Sequence, residues 1–410
     1  MNILLINHYA GSPQYGMEFR PYYMGREWQR MGHEVKILAG SYSHIRSKQP
    51  EMSSGKHKDE IIDGISYRWY KTTVYTGNGI KRVLSMLVFL RHLKRDAKKI
   101  AQEFKPDLVI ASSTYPMDIW PARRIAKLSK AKLVYEVHDL WPLSPIQLGN
   151  LPRWHPFIIW VQMAEDYAYR HADKVVSMLP KTLEYMQSRG LAPKKFVYVP
   201  NGINLDEWKK PESLNNEVLQ IIKNLKKKKQ PIVGYVGTHG LANALDTLLD
   251  AMKILRGRVQ LLSVGTGPEK EKLIKRVKDE EISNVIILPS IPKKEVPNLL
   301  QLIDIAYIGL KPEALFQYGI SPNKLMDYMV SEKPIVCAIK AGNDPVGEAG
   351  CGITVPPGDA QLVADAIVKL SKLSPTQRKT MGTKGKSFIL KNQTYPVLAK
   401  RFLAAMDGEL

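Results

Sequence analysis

Lys324 and Asp327 stand close together in a run that opens Tyr318-Gly319-Ile320-Ser321-Pro322-Asn323 and closes at Pro334. The residue types along it suit an anionic ligand rich in hydroxyls. Ser321 followed by Pro322 reads as an N-cap and a first helical position. The backbone N–H groups of Asn323, Lys324 and Leu325 would then point out of a helix start, where unsatisfied donors and the helix dipole attract phosphate. Lys324 adds a movable positive charge, and Asp327 can accept hydrogen bonds from sugar hydroxyls. A Ser-Pro pair also begins ordinary helices, so the local chemistry leaves both readings open. Apolar runs at 303–309 and 335–339 read as strands on either side. The block therefore lies at a strand's carboxyl end, where open α/β sheets bind ligands.

Four other stretches occupy comparable places. Gly11-Ser-Pro-Gln-Tyr-Gly16 follows the first apolar strand and leads to Arg20. Its spacing is not a dinucleotide fingerprint, but Gly16 could admit a ligand close to the backbone and Arg20 could meet a phosphate. A plain strand-to-helix turn explains the same residues. Tyr135-Glu-Val-His138-Asp-Leu-Trp141-Pro142 ends another strand. His138 could donate to a sugar hydroxyl there, and Trp141 could stack on a sugar ring or fill an interface. In the second half, Gly234-Tyr-Val-Gly237-Thr238-His239-Gly240 and Gly265-Thr-Gly267 end successive strands. The glycines permit close backbone approach, and Thr238 and His239 offer hydrogen bonds.

These positions need a scaffold, and the chain reads as strand and helix in alternation. Short apolar strands are expected at 3–6, 34–38, 108–111 and 133–137, with helices near 22–31, 81–104 and 118–128. A second series is expected at 232–236, 259–264, 285–288, 305–308, 335–338 and 352–355. Continuous apolar strands separated by helices imply parallel sheets covered on both faces. The expected architecture is α/β, with two doubly wound Rossmann-like domains facing a central cleft. The first domain is placed at 1–190 and the second at 191–389, with a final helix in 390–410 packing back on the first. Residues 47–58 are polar and read as a mobile loop.

The totals set limits. At 410 residues and 44% hydrophobic content the chain can bury more than one core. Cys337 and Cys351 form no disulfide framework or metal cluster, which suits a reducing cytoplasm. The start at Met1 runs straight into a strand rather than a signal peptide, and no uncharged apolar run is long enough to span a membrane. The formal net charge is +21, with 30 Lys and Arg against 17 Asp and Glu in residues 1–200 and 30 against 22 thereafter. Nucleic acid is not expected as a partner, because no zinc finger or RNA-recognition signature accompanies the charge. The 81–99 helix carries an apolar stripe of Val83, Met86, Leu87, Leu90, Leu93 and Ala97, with Leu84, Val88 and Phe89 outside it and basic residues around it. That composition fits a buried helix with solvated ends, or peripheral contact with an anionic membrane.

Over nearly its entire length the sequence resembles the retaining GT-B glycosyltransferases of family 4, of the bacterial surface-polysaccharide and lipopolysaccharide type. The residues that carry the resemblance are the opening Gly loop with Arg20 and 30–35, Val137-His-Asp-Leu-Trp-Pro142, Val199-Pro-Asn-Gly-Ile-Asn204, Tyr235 through Ala251, and the Pro322–Pro334 block. The resemblance implies a nucleotide-diphosphosugar donor bound mainly by the second half and an acceptor bound mainly by the first. It places the base against Ser290 and Ile291, the ribose on Asp327, and the diphosphate over Gly237–His239 and the amides of Asn323–Leu325. His138 matches a histidine that contacts the donor sugar. Many relatives have an Arg and, five residues on, a Lys where this chain has Thr238 and Asn243. Their paired glutamates correspond to Gly319 and Asp327. Lys324, His239 and Arg20 are the candidates to restore the missing charge.

The expected function is transfer of a hexose, from a UDP-sugar donor, to a saccharide or lipid-linked oligosaccharide with retention of anomeric configuration. His138 and Lys324 are the expected catalytic groups, and Trp141 the expected acceptor contact. No cofactor is expected, and without an Asp-x-Asp motif or a His/Cys/Glu cluster neither is a metal. A sugar-nucleotide 2-epimerase would share the architecture but needs acid/base carboxylates that are not evident. A degenerate transferase acting as a binding or scaffold protein would explain the missing Arg–Lys and Glu pairs.

Overall fold

A computed structural model of the chain describes residues 1–408. They form two compact units, Met1–Asn201 joined by the segment from Tyr395 onward, and Gly202–Thr394. The first division falls beyond residue 190, and the returning segment begins at Tyr395 rather than 390.

The first unit holds strands β1 (Asn2–Ile6), β2 (Glu34–Gly40), β3 (His57–Ile62), β4 (Ile65–Tyr70), β5 (Leu108–Ala111), β6 (Lys132–Val137), β7 (Lys174–Ser177) and β8 (Phe196–Tyr198). Their order across the sheet is β3-β4-β2-β1-β5-β6-β7-β8, parallel except for β3 against β4. β5 is buried throughout, as its uninterrupted Leu-Val-Ile-Ala requires for a strand covered on both faces.

The antiparallel pair differs from the expected loop, whose last residues, His57 and Lys58, already belong to β3. Its turn is Asp63-Gly64, with φ 49° and 85°. Positive φ at both central residues matches the twist of the flanking strands, and Asp-Gly tolerates it.

The helix Ile80–Phe104 buries Met86, Phe89, Leu90, Leu93, Ala97, Ile100 and Phe104. The buried face is thus turned toward Phe89, while Leu84 and Leu87, with Ile80, remain exposed. The helix Tyr395–Asp407 packs on Arg20–Arg30: Trp28 is buried, its ring 5.1 Å from Phe402 and its Nε1 donating to the Ala399 carbonyl at 3.3 Å.

The second unit holds β9 (Ile232–Val236), β10 (Gln260–Val264), β11 (Val285–Leu288), β12 (Ile305–Gly309), β13 (Ile335–Ala338) and β14 (Gly352–Val355). Their order is β11-β10-β9-β12-β13-β14, and all five pairings are parallel. Both units are therefore Rossmann-like, with helices on both faces of a mostly or wholly parallel sheet. The strand order reverses between β1 and β5 in the first and between β9 and β12 in the second. Loops leaving these strands diverge and open a crevice at the carboxyl edge.

Candidate functional site

In the second unit, Tyr235 is the penultimate residue of β9, and Lys324 opens the helix Asn323–Val330 that follows β12. The two therefore come from opposite sides of the switch point. Lys324 Nζ donates to Tyr235 Oη at 2.9 Å and lies 4.8 Å from the ring centre. It also donates to Asn243 Oδ1. Asn243 in turn donates to the Thr238 carbonyl at 3.0 Å, and Tyr235 Oη donates to the same carbonyl at 2.6 Å. Burial lowers the pKa of Lys324 to about 8. Gly237 lies beneath it, and a Cβ there would come within 3.2 Å of Lys324 Cε. Glycine at 237 thus makes room for the lysine.

The buried phenol of Tyr328 donates to the Val236 carbonyl at 3.0 Å and accepts from the Val236 N–H at 2.8 Å, tying this helix to the end of β9. The helix starts one residue later than the Ser321-Pro322 pair implied. Pro322 is the N-cap, with φ −76° and ψ 130°, and no side chain caps it. The Leu325 N–H bonds back to the Pro322 carbonyl at 3.1 Å and so is used within the first turn. The leading edge of the helix is Asn323 and Lys324.

His239 departs from its expected role. Its ring is fully buried with Nε2 2.8 Å from Ser263 Oγ. Burial, with Lys270 and Lys324 nearby, lowers its pKa to about 4. It is neutral at physiological pH and contributes no charge to a diphosphate. Thr238 is the exposed side chain of that loop. Gly265 and Gly267 serve packing of the two loops on each other: a Cβ at 265 would strike the Gly237 carbonyl, and one at 267 the His239 carbonyl.

Asp327, nearly buried, accepts from Lys293 Nζ at 2.6 Å. Lys293 follows Ser290 and Ile291 on the loop after β11 and ties that loop to Asp327. Tyr318 ends the 3-10 turn Ala314–Tyr318, and Gly319 follows with φ 108°. A side chain is strained in that conformation, which is a local reason for glycine at a position where the family resemblance led to the expectation of glutamate. Ile320 is pinned by Asn343, whose amide exchanges hydrogen bonds with the Ile320 N–H and carbonyl at 2.8 and 3.1 Å.

In the first unit, Arg20 is fully buried. Its guanidinium donates to Glu136 Oε1 from Nε at 3.0 Å and from Nη2 at 2.9 Å, and to the carbonyls of Pro200 at 2.6 Å and Val199 at 3.0 Å. These bonds engage the fork on every nitrogen. Arg20 is an internal clamp on Glu136, not an exposed phosphate ligand. Gly16 is likewise accounted for by protein neighbours: with φ 95°, its missing Cβ would fall 2.6 Å from Ser47 Oγ.

Glu136 and His138 lie two residues apart at the end of β6 and face Ser112, which follows β5. Ser112 Oγ is 2.6 Å from Glu136 Oε2 and 2.9 Å from His138 Nε2. Trp141 packs edge-on to Phe157 at 6.1 Å, and the Arg82 guanidinium lies 5.8 Å from its ring centre. Sequence reading missed Ser112, Glu136, Tyr235, Asn243 and Lys293 as site residues. Glu136 shares the face of His138 by strand alternation, which was the available signal. Among the described residues, no group of three or more His, Cys, Asp or Glu is placed to hold a metal ion.

Two Rossmann-like units with parallel sheets are the architecture of the GT-B glycosyltransferases. Residues 15–207 match the family described as Glycosyltransferase Family 4, and residues 230–372 match Glycosyl transferases group 1. The two matches identify the chain as a glycosyltransferase of GT-B type. Sucrose-phosphate synthase from Thermosynechococcus elongatus is similar in fold, with a TM-score of 0.71 at 17% identity over 99% of this chain and 98% of that one. Anabaena Alr3699/HepE, solved with UDP and glucose, gives 0.66 at 14% identity over 99% of both chains. WaaG, a glycosyltransferase involved in lipopolysaccharide biosynthesis, gives 0.65 at 14% identity over 98% of both. No curated protein matches the chain in a sequence search.

Proposed function

We propose that the chain transfers a hexose from a UDP-sugar to a saccharide or lipid-linked oligosaccharide acceptor, with retention at the anomeric carbon and without a metal ion. The observation that carries this reading is the Lys324 ammonium held by neutral partners at the start of a helix beside the β9/β12 switch point. An anion there meets a cation and a helix N-terminus together, the two features that bind a diphosphate. The HepE structure holds UDP and glucose on the same fold, which favours a UDP-linked hexose.

In this reaction the bond from the anomeric carbon to the diphosphate breaks, and negative charge gathers on the leaving group. Lys324, through its ammonium and its backbone amide, and the Thr238 amide stabilise that charge; the Gly237 and His239 N–H groups, expected to join them, are already spent on the Val264 and Thr266 carbonyls at 3.0 and 2.9 Å. Asp327 takes the ribose, and backbone at Ser290 and Ile291 flanks the base, with Tyr318, Gly319 and Ser321 shaping the loop between. The acceptor hydroxyl bonds to the anomeric carbon from the face the diphosphate leaves, and a phosphate oxygen takes its proton. His138 contacts the donor sugar, and Trp141 the acceptor.

The enzyme works in the cytoplasm, peripheral to the inner face of the membrane. No helix among the described residues is long and apolar enough to cross a membrane. The first unit exposes Leu148, Trp154, Ile159 and Met163 within a short stretch, Trp154 at 75%. A cavity of about 420 Å³ beside them is lined by Leu143, Ile146, Ile159, Met163 and Arg153. Apolar side chains beside basic ones suit an anionic lipid surface. Vesicles containing phosphatidylglycerol should sediment the protein, and Trp154→Ser should weaken that binding. Equal sedimentation of both proteins would remove this surface from the account.

The first test is the thermal midpoint with a panel of nucleotides and sugar nucleotides, since a ligand bound only by the native state raises it. UDP and one UDP-hexose should shift it without added metal. No shift at millimolar ligand would defeat the donor assignment.

A further inference from the structure

Glu136 is enclosed, and the side chains around its carboxylate are donors. Burial alone would raise its pKa, but the Arg20 charge, with His138 and Ser112 beside it, holds the carboxyl well below its usual range. Glu136 is therefore ionised and can only accept hydrogen bonds.

That fixes the protons around it. The Ser112 hydroxyl, 2.6 Å from Glu136 Oε2, must direct its single proton there. Its oxygen lone pairs are then left for the neighbours. Asn7 Nδ2 donates to Ser112 Oγ at 3.4 Å, and His138 Nε2 lies 2.9 Å from the same atom. Nε2 is also 3.3 Å from Glu136 Oε2. A bare nitrogen would set its lone pair against both oxygens, whereas an N–H is attracted to both.

We infer that the Glu136–Ser112 pair holds neutral His138 as the Nε2–H tautomer. Nδ1 then carries the lone pair, so the neutral ring meets a substrate hydroxyl as an acceptor, and donates from Nδ1 only as imidazolium. This reverses the polarity first expected for His138. The arrangement follows from strand register. Ala111 pairs with Tyr135, so the next residues, Ser112 and Glu136, leave adjacent parallel strands side by side, with His138 two residues on. Ser112 and Glu136 are positioning residues in this scheme, and Arg20 keeps Glu136 charged. Asp118, from the turn after β5, and Asp139 are the other carboxylates near His138.

The tautomer itself needs no substrate to observe, although its use on a sugar hydroxyl rests on the proposed transferase function. The full chain labelled with ¹⁵N-histidine, with His138→Gln to identify the resonance, should show a protonated Nε2 and an unprotonated Nδ1 while the ring is neutral. A protonated Nδ1 would overturn the inference. Ser112→Ala leaves Arg20 and Glu136 paired and should lower kcat roughly tenfold, with donor KM changed far less. Wild-type kcat in that variant would likewise overturn a positioning role. If Ser112→Ala fails to fold, the wild-type tautomer still decides. A wild-type chain with the Nε2–H tautomer and no transfer to any acceptor would defeat the transferase reading and leave the proton arrangement standing.

Discussion

The Lys324 ammonium lies 2.9 Å from the Tyr235 hydroxyl, and its other side-chain partner among the described residues is the amide of Asn243. Both partners are neutral. They orient the cation without cancelling its charge, and burial leaves it poorly solvated. An arriving anion therefore finds a fixed charge whose water has already been removed, the condition under which electrostatic stabilisation is largest. With Arg20 locked on Glu136 and His239 neutral, Lys324 is what remains of the three candidates for the missing charge.

Lys324→Ala should lower kcat at saturating donor by roughly 10²–10³-fold, the scale of losing one preorganised charge-stabilising donor. The thermal midpoint should not fall sharply, because removing a buried charge that has no ion-pair partner among the described residues offsets the packing and hydrogen bonds lost with the side chain. Steady-state kinetics with calorimetry separates the two effects, and wild-type turnover would exclude the role.

Raising the pH should move stability and donor binding in opposite directions. Lys324 titrates near 8 in the folded chain against 10.5 ordinarily. Between those values the unfolded chain binds more protons, so the contribution of this group to stability rises with pH and is lost as pH falls through 8. Donor affinity falls over the same interval as the cation disappears. Thermal midpoints with and without UDP from pH 7 to 10 should show both trends, and Lys324→Met should flatten them.

Asp327 should read the ribose. The wild type is expected to bind UDP roughly ten- to a hundredfold more tightly than 2′-deoxy-UDP, the worth of one hydrogen bond to a charged group. Asp327→Ala should bind the two alike. An undiminished preference in the variant would assign the ribose to another residue. Lys293 occupies the same carboxylate at 2.6 Å, so it must shift or share it when the nucleotide arrives.

Arg20→Met should destabilise the fold rather than weaken donor binding. It leaves the Glu136 carboxylate buried without its partner, which costs about 3–5 kcal/mol. Urea unfolding should register the loss, and adding Glu136→Gln should recover much of it. An unchanged unfolding midpoint with lost UDP binding would restore Arg20 as a phosphate ligand.

The strands of the second unit were readable because each is a short, mostly apolar run with a turn after it, interrupted only by Gln260 and Ser263 in β10 and Thr354 in β14. The β3–β4 hairpin was missed although Asp63-Gly64 announces it, because polar residues before it drew the reading toward a loop. Site residues were legible in place but less so in role. Lys324 and Asp327 fall at a strand end in any α/β reading. Whether Arg20 faces a ligand or Glu136 depends on a partner 116 residues away, which no local spacing reveals. His239 is similar: its motif marks a crevice loop, while only the packed structure turns its ring onto Ser263.

The last helix belongs to the first unit, and this sets an order of events at the ribosome. Residues 202–394 emerge before the segment that covers Trp28, so the unit whose synthesis begins first is the last to be completed. Until Phe402 arrives, the face of the Arg20–Arg30 helix that bears Trp28 stays open to water and to other chains. A chain stopped before Tyr395 would therefore expose part of its own first unit, because the residues that cover Trp28 come after the whole of the second.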